Sequence, residues 1–173
     1  TVHPDSIDLD TSVGGEVTGT VHVGTLTKSF TIMKTLMYVC PVCGNVIIKL
    51  VDSGVAPHCC GREMQLLRPE MREEPGVSEK HLPDVSLRDE HSLRVQVGSE
   101  PHPMSHEHLI QFILLESEHG LQIRLLGEDN KPTATFYCGY DRPEGIYTWC
   151  NRHGLWGTHH LPPTVKHTPS CPM

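Results

Sequence analysis

Long apolar runs are absent from this sequence. A helix that spans a bilayer needs about 20 consecutive apolar residues, and no stretch of the chain approaches that length. The N-terminal residues also lack the charged-then-apolar pattern of a signal peptide. We therefore expect a soluble, cytoplasmic protein without a membrane partner.

Basic residues are too few for a nucleic-acid surface. The chain has 14 Lys and Arg residues against 21 Asp and Glu residues, a formal net charge of -7. Because phosphate binding usually needs a basic face, we expect no nucleic-acid partner. Small molecules and other proteins remain as partners.

Aromatic residues are scarce and long helical patterns are missing, which favours short strands. Aromatic residues make up 5% of the chain, whereas it has 15 glycines and 14 prolines, a composition typical of short elements joined by turns. In SLRVQV, Leu93, Val95 and Val97 alternate with polar residues, the period of a half-buried strand. Four more strands are predicted without intervening helices, in LIQFILLE, LQIRLL, TATFY and GIYTW. This pattern predicts an antiparallel β-sandwich.

The composition changes along the chain divide it into three parts. Residues 1–32 are rich in threonine, valine and glycine, and they could be an added pair of strands, a swapped arm or a leader; their role is left open. A small unit with VIIKLV as a strand is expected over residues 33–70, and a larger one with an irregular tail over residues 71–173. The polar segment RPEMREEPGVSEKHLPD links them and cannot be a central strand.

Four of the seven cysteines lie close together in the small unit. Cys40 and Cys43 have C-x2-C spacing, and Cys59 and Cys60 are adjacent. Four converging thiolates complete a tetrahedral set that suits iron or zinc, and the sequence cannot choose between them. Buried or disulfide-bonded cysteines are the alternative, but an odd total and an adjacent pair suit metal thiolates better. Because adjacent ligands must open the angle at the metal, we expect a distorted centre.

Histidine is abundant, and SEPHPMSHEHL alone contains three of the 13 histidines. His102 precedes a proline, while His108 is predicted to begin an apolar strand and to point towards the core. A buried imidazole without a partner would be costly there, and a metal would satisfy it. His106 shares the parity of His108, so alternation alone does not exclude it as a ligand.

Two further segments offer donors to the same kind of site. Cys150 and His153 have C-x2-H spacing on a turn that ends in glycine, and EKHLP presents His81 beside an acid and a base. One thiolate with several imidazoles differs from the common structural zinc set, in which the ligands form two close pairs. A redox-active iron fits this donor set better.

Taken together, these motifs resemble the desulfoferrodoxin family, the two-iron form of superoxide reductase. The resemblance runs from about Met33 to Trp156. The first unit resembles desulforedoxin in YVCPVCGNVIIKLVDSGVAPHCCGREM, and the second resembles the catalytic domain through EKHLP, HPM, EHLI and CNRHG. The resemblance implies an all-β protein in which a small desulforedoxin-like metal-binding domain precedes an immunoglobulin-like antiparallel β-sandwich.

The resemblance also implies two iron centres. A rubredoxin-like FeS4 iron would be bound by Cys40, Cys43, Cys59 and Cys60. A catalytic iron would take an axial thiolate and four equatorial imidazoles, from Cys150, His81, His102, His108 and His153. His106 is then the bystander. Cys138 and Cys171 have no counterpart; we expect a packed thiol and a free tail thiol that is open to oxidation, respectively.

The implied activity is the one-electron reduction of superoxide to hydrogen peroxide, a detoxification reaction under oxidative stress. Lys80 would attract the anion and order a proton-donating water, and Glu79 would occupy the open iron position after oxidation. A solvated loop pair is the alternative for these two residues. Relatives imply a rubredoxin-like electron donor and a homodimer. An iron-binding electron-transfer protein without significant turnover is the alternative function.

Overall fold

The computed structural model describes residues 6–9, 18–23, 26–31, 33–72 and 78–163 of the chain. The chain divides into two compact units, Thr1–Arg68 and Pro69–Met173. The finer division into residues 1–32, 33–70 and 71–173 stays a prediction, and the expected free thiol of Cys171 lies outside the described residues. Within the described part of the chain, no helix is long and apolar enough to cross a membrane.

The first unit begins with a three-stranded antiparallel sheet. Its strands follow the order β1-β2-β3: β1 (Ser6–Leu9), β2 (Thr18–Val23) and β3 (Leu26–Thr31). The sequence interpretation allowed an added pair of strands here, and the structure has three. The strands leave the role of this segment open.

The rest of the first unit is a small sheet with a hairpin. The sheet has the order β5-β4-β8, from β4 (Leu36–Val39), β5 (Val46–Lys49) and β8 (Gln65–Leu66). The hairpin pairs β6 (His58–Cys59) with β7 (Arg62–Glu63). The strand predicted in VIIKLV ends at Lys49, because Leu50 and Val51 are exposed and lie in a bend.

The second unit is a sandwich of two antiparallel sheets. A single helical turn, α1 (Ser78–His81), precedes it. One sheet has the order β13-β10-β9, from β9 (Pro83–Asp89), β10 (Ser92–Val97) and β13 (Thr133–Tyr137). The other has the order β12-β11-β14-β15, from β11 (Ile110–Ser117), β12 (Leu121–Leu125), β14 (Pro143–Cys150) and β15 (Gly154–Thr158).

The core of the sandwich lies between these sheets. The alternation predicted in SLRVQV is confirmed, because the side chains of Leu93, Val95 and Val97 are fully buried in it. Ile113 and Leu115 reach the same core from β11. Burial of each such side chain contributes about 1.5–3 kcal/mol. Because a shift by one residue would expose these side chains, their burial fixes the register of both sheets. The predicted all-β fold class is confirmed.

The strand prediction needs correction at three places. The polar linker was expected to run through Asp84, but β9 begins at Pro83. β9 lies at the edge of its sheet, as expected for a strand that opens with proline. β15 was not predicted, since GLWGT has no clear alternation. His108 does not begin a strand, because its backbone closes a turn with Ser105 and β11 starts at Ile110.

Candidate metal centres

Four imidazoles and one thiol converge at one end of the sandwich. Each offers a ligand atom, and these atoms all lie within 4.8 Å of one another. The residues come from the end of α1, the segment between β10 and β11, the end of β14 and the β14–β15 turn: His81, His102, His108, Cys150 and His153. The structure thus brings together all five donors that the sequence predicted for the second site.

The four imidazoles form a closed quadrilateral. Neighbouring ring centroids are 4.5–4.9 Å apart around the sequence His81, His102, His108, His153 and back to His81. The diagonal between His81 and His108 is longer, at 6.2 Å. His81 Nε2 and His153 Nδ1 are within hydrogen-bond distance of each other, at 2.9 Å. In this arrangement all four imidazoles could bind one ion.

The cysteine is placed by a β-hairpin. Cys150 ends β14, is fully buried and pairs with Gly154, whose φ of 82° closes the turn. Its Sγ lies 3.7 Å from His153 Nδ1. Because glycine adopts this left-handed conformation without strain, the turn holds the C-x2-H donors on one side of the hairpin.

Two nitrogen atoms of the group are buried without a hydrogen-bond partner, His102 Nε2 and His108 Nε2. A buried polar atom left unpaired costs about 1–3 kcal/mol, so a ligand is expected there. His102 donates its Nδ1 proton to the Pro103 carbonyl at 2.7 Å, which leaves a lone pair on Nε2. Burial also lowers the pKa of His102 to about 4, with smaller contributions from the neighbouring histidines, so its imidazole is neutral near pH 7. The donors therefore fit a metal ion.

Glu79 and Lys80 lie on the helical turn that ends in His81, and both side chains are exposed. The turn rests on Gly98: the Gly98 N–H donates to the Leu82 carbonyl at 2.9 Å. Gly98 has a φ of 84°, and an added Cβ would lie 2.8 Å from the Lys80 carbonyl oxygen. Only glycine permits this close approach, so Gly98 fixes where the turn sits.

His106 lies outside the group. Its side chain is 92% exposed, and its Nδ1 is 2.8 Å from Glu128 Oε1. The shared parity of His106 and His108 carries no weight, because both residues lie in the turn that precedes β11.

The four cysteines predicted as ligands also converge. Their sulfur atoms lie within 4.8 Å of one another, and the two that hydrogen-bond most closely, those of Cys43 and Cys59, are 3.6 Å apart. That distance is far from a disulfide bond, and all four residues are free cysteines. The disulfide alternative is therefore wrong for this group.

The backbone of the four-cysteine group is strained at one of the cysteines. Cys60 has a φ of 53°, the sole positive value for a non-glycine residue among the described parts of the chain. Such a conformation costs about 1–3 kcal/mol and is typical of functional sites. Backbone N–H groups of Cys43 and Val42 donate to Cys40 Sγ and lower its pKa to about 6, which favours the thiolate that a metal binds.

Three residues that support the sandwich group gave no signal in the sequence. The Asn151 side chain accepts from the Leu109 N–H at 3.0 Å and donates to the Glu107 carbonyl, which ties the β14–β15 turn to the His108 turn. Thr148 Oγ1 donates to the His81 carbonyl at 3.2 Å. Trp156 stacks on the His81 ring. These contacts join segments far apart in the chain, so the sequence does not reveal them, although Asn151 lies within the CNRHG motif.

The antiparallel β-sandwich gathers four imidazoles and a buried cysteine, and the chain also holds a four-cysteine group. Together these features define a non-haem metalloprotein with two sites. A family model described as desulfoferrodoxin matches residues 73–159. The chain is 33% identical over 125 residues to desulfoferrodoxin of Syntrophotalea carbinolica, covering 72% of this chain and 96% of that one. It therefore belongs to the desulfoferrodoxin family.

Two further comparisons agree. A desulfoferrodoxin homolog of Archaeoglobus fulgidus is 35% identical over 121 residues, covering 69% of this chain and 93% of the relative. The solved superoxide reductase from Treponema pallidum is similar with a TM-score of 0.59 and 27% identity, over 72% of this chain and 97% of that one. The predicted family and enzyme class, an oxidoreductase of the superoxide reductase type, are confirmed, and iron is the cofactor.

Proposed function

We propose that this chain reduces superoxide to hydrogen peroxide at a mononuclear iron in the sandwich. The ligands would be the five clustered donors, His81, His102, His108, Cys150 and His153. The quadrilateral of imidazoles, with two buried Nε2 atoms that lack a hydrogen-bond partner, is the observation that carries the proposal. Bound there, ferrous iron would supply one electron and an open position for superoxide, and a thiolate ligand would favour peroxide release.

The residues around this group would bind the anion and handle protons. One superoxide ion, one electron and two protons give one hydrogen peroxide molecule, so the site needs a proton source. Lys80 supports this role, since its exposed amine lies on the turn that ends in His81. It would attract superoxide and order a proton-donating water, while Glu79 on the same turn would take the open position between turnovers.

The net charge of -7 would by itself repel an anionic substrate. Charge is screened over about 8–10 Å at ordinary salt, so cations close to the site dominate the field there. Lys80 and Arg152 are such cations. Burial lowers the pKa of His108 most, His153 comes next, and the charges of Arg152, His81 and Lys80 lower it further. Arg152 was not singled out in the sequence, although it lies between Asn151 and His153.

We also propose an electron donor and an assembly for this protein. A rubredoxin-like protein would reduce the iron again after each turnover, and the chain would form a homodimer. The four-cysteine group is proposed as a rubredoxin-like iron centre in a domain of residues 33–70, and residues 71–173 as the catalytic domain. Cysteines that serve as metal thiolates fit a reducing compartment, which supports a cytoplasmic location.

The proposal is tested first on the unmodified chain. Protein expressed with ample iron and purified without chelators should hold nearly two irons per chain by elemental analysis. It should also consume superoxide generated by pulse radiolysis, with peroxide formed but no oxygen released from a dismutation. Iron in the sandwich without consumption would favour the electron-transfer alternative, and zinc alone after iron-rich anaerobic expression would refute the redox function.

Replacing Lys80 with alanine should slow the reaction with superoxide. The loss of one cation beside the site weakens electrostatic steering, which raises association rates by about 10-fold or more, and the slowing should shrink as salt is added. The measurement is the second-order rate by pulse radiolysis at several ionic strengths. Arg88→Ala is the matched control, because Arg88 is an exposed cation near the far end of β9. An unchanged rate in Lys80→Ala would remove Lys80 from the mechanism.

A further inference from the structure

Trp156 contacts two of the four imidazole-bearing residues, and the reaction proposed above does not use it. Its indole ring stacks on the His81 ring, with centroids 5.0 Å apart and an interplanar angle of 21°. Its Nε1–H donates to the His153 carbonyl oxygen at 3.0 Å. The side chain is only 7% exposed. One side chain therefore meets a ligand ring on one side and the ligand-bearing turn on the other.

The strand register places Trp156 on the inner face of its sheet. In the pairing of β14 with β15, Trp156 lies opposite Thr148, and Gly154 lies opposite Cys150. Thr148 and Cys150 are two positions apart on β14. Because side chains alternate between faces with a period of two, Trp156, Thr148 and Cys150 share one face. Thr148 also donates to the His81 carbonyl, so two residues of this face act on His81, one on its backbone and one on its ring.

The backbone of Trp156 is held on both sides by Glu70. The Glu70 N–H donates to the Leu155 carbonyl at 2.9 Å, and the Gly157 N–H donates to the Glu70 carbonyl at 3.0 Å. The Glu70 carboxylate is in turn bound by the Arg72 guanidinium, at 3.0 and 3.1 Å. The two backbone hydrogen bonds fix the position of the strand from which the indole contacts His81 and His153.

Residues behind a metal ligand fix its orientation. A hydrogen bond usually does this, and loss of such a partner costs about 10–100-fold in metal affinity. An aromatic contact can do the same, since stacked rings prefer a defined mutual geometry and stabilise each other beyond the area they bury. We propose that Trp156 is a positioning residue of the sandwich centre: its indole face sets the plane of the His81 ring, and its N–H sets the turn that carries His153. This inference rests on the ligand set of the proposed function.

The test uses the full iron-loaded chain and three variants. Trp156→Leu removes both contacts, whereas Trp156→Phe keeps a ring against His81 and removes only the N–H donor. Trp149→Phe is the matched control, because that indole stacks on Phe112 and donates to the Gln111 side chain instead. The measurements are competition with a ferrous chelator, the midpoint potential of the sandwich centre and its thiolate-to-iron absorption.

We expect iron binding in Trp156→Leu to be about 10–100-fold weaker, with Trp156→Phe between it and the unmodified chain. Both variants should shift the potential and the absorption band of the sandwich centre, which the loss of a merely structural residue would not do. Trp149→Phe should leave the affinity, the potential and the absorption of this centre unchanged, and the four-cysteine centre should be unaffected in every variant. Unmodified affinity and potential in Trp156→Leu would overturn the inference. If that variant does not fold, Trp156→Phe decides in the same way.

The same titration separates this inference from the proposed function. An unmodified chain that holds no iron in the His/Cys group would refute the proposed function and the role of Trp156 with it. Normal iron binding in the unmodified chain, together with equal binding in the Trp156 variants, would refute the role of Trp156 alone.

Discussion

Replacing Cys150 with serine should remove superoxide turnover and leave the four-cysteine centre intact. Cys150 supplies the sole sulfur of the sandwich group. A serine hydroxyl has almost the same size, but it stays protonated at neutral pH and is a harder donor that iron binds less well in this setting. Loss of a direct ligand should have a larger effect than loss of a residue that only orients a ligand. We therefore expect the rate to fall by more than about 100-fold.

The measurement combines pulse radiolysis with absorption spectra of the oxidised protein. The thiolate-to-iron band of the sandwich centre should vanish, while the absorption of the four-cysteine centre remains. Cys138→Ser is the matched control: Cys138 is also buried in the sandwich, its thiol donates to the Phe136 carbonyl at 3.9 Å, and it belongs to neither donor group. If Cys150→Ser turned over superoxide as fast as Cys138→Ser, Cys150 could not be a ligand of the reacting iron.

The second large effect is expected at the other centre. Replacing Cys60 with serine should abolish the visible absorption of the four-cysteine group and lower the metal content from nearly two ions per chain to one. Cys60 is one of four sulfur donors, so its replacement leaves three thiolates, one short of the set that a tetrahedral site needs. Turnover with an artificial electron donor should remain mostly intact, because the donors of the sandwich group are separate residues.

Arg62→Ser is the control for Cys60→Ser, since it changes an exposed side chain two positions further along the chain. It should keep both metals. Loss of superoxide consumption together with the four-cysteine absorption would contradict the expectation of independent centres. That result would mean that the small unit is needed for folding or for dimerisation of the protein.

The donors that the structure gathers into two groups could be predicted from the sequence because their signals are local. C-x2-C and C-x2-H spacing, and a histidine before a proline, can be read from a few neighbouring residues. The alternating residues of β10 are equally local, and their burial follows from the period of two. What these positions share is that backbone geometry over a few residues decides their role.

The supporting residues could not be predicted in that way. Trp156 and Gly98 act through contacts with a turn that lies far away in the sequence. β9 was not predicted as a strand, because its first two residues, Pro83 and Asp84, were assigned to the linker. Most of its residues are exposed, so burial does not mark it either. His108 was assigned to a strand since the apolar run follows it at once, yet two backbone hydrogen bonds with Ser105 hold it in a turn.

The order of the donors along the chain has a consequence for how the protein acquires its iron. The four-cysteine donors are complete once the ribosome has passed Cys60, whereas His81 and His153 of the sandwich group are 72 residues apart. At about 5–20 residues per second, synthesis from Cys60 to His153 takes about 5–20 s, and domains generally fold in order from the N-terminus. The first centre can therefore capture a metal on the ribosome, while the second has to wait for a nearly finished chain. Under iron shortage, we expect partly loaded molecules to hold metal in the four-cysteine group and to lack it in the sandwich group.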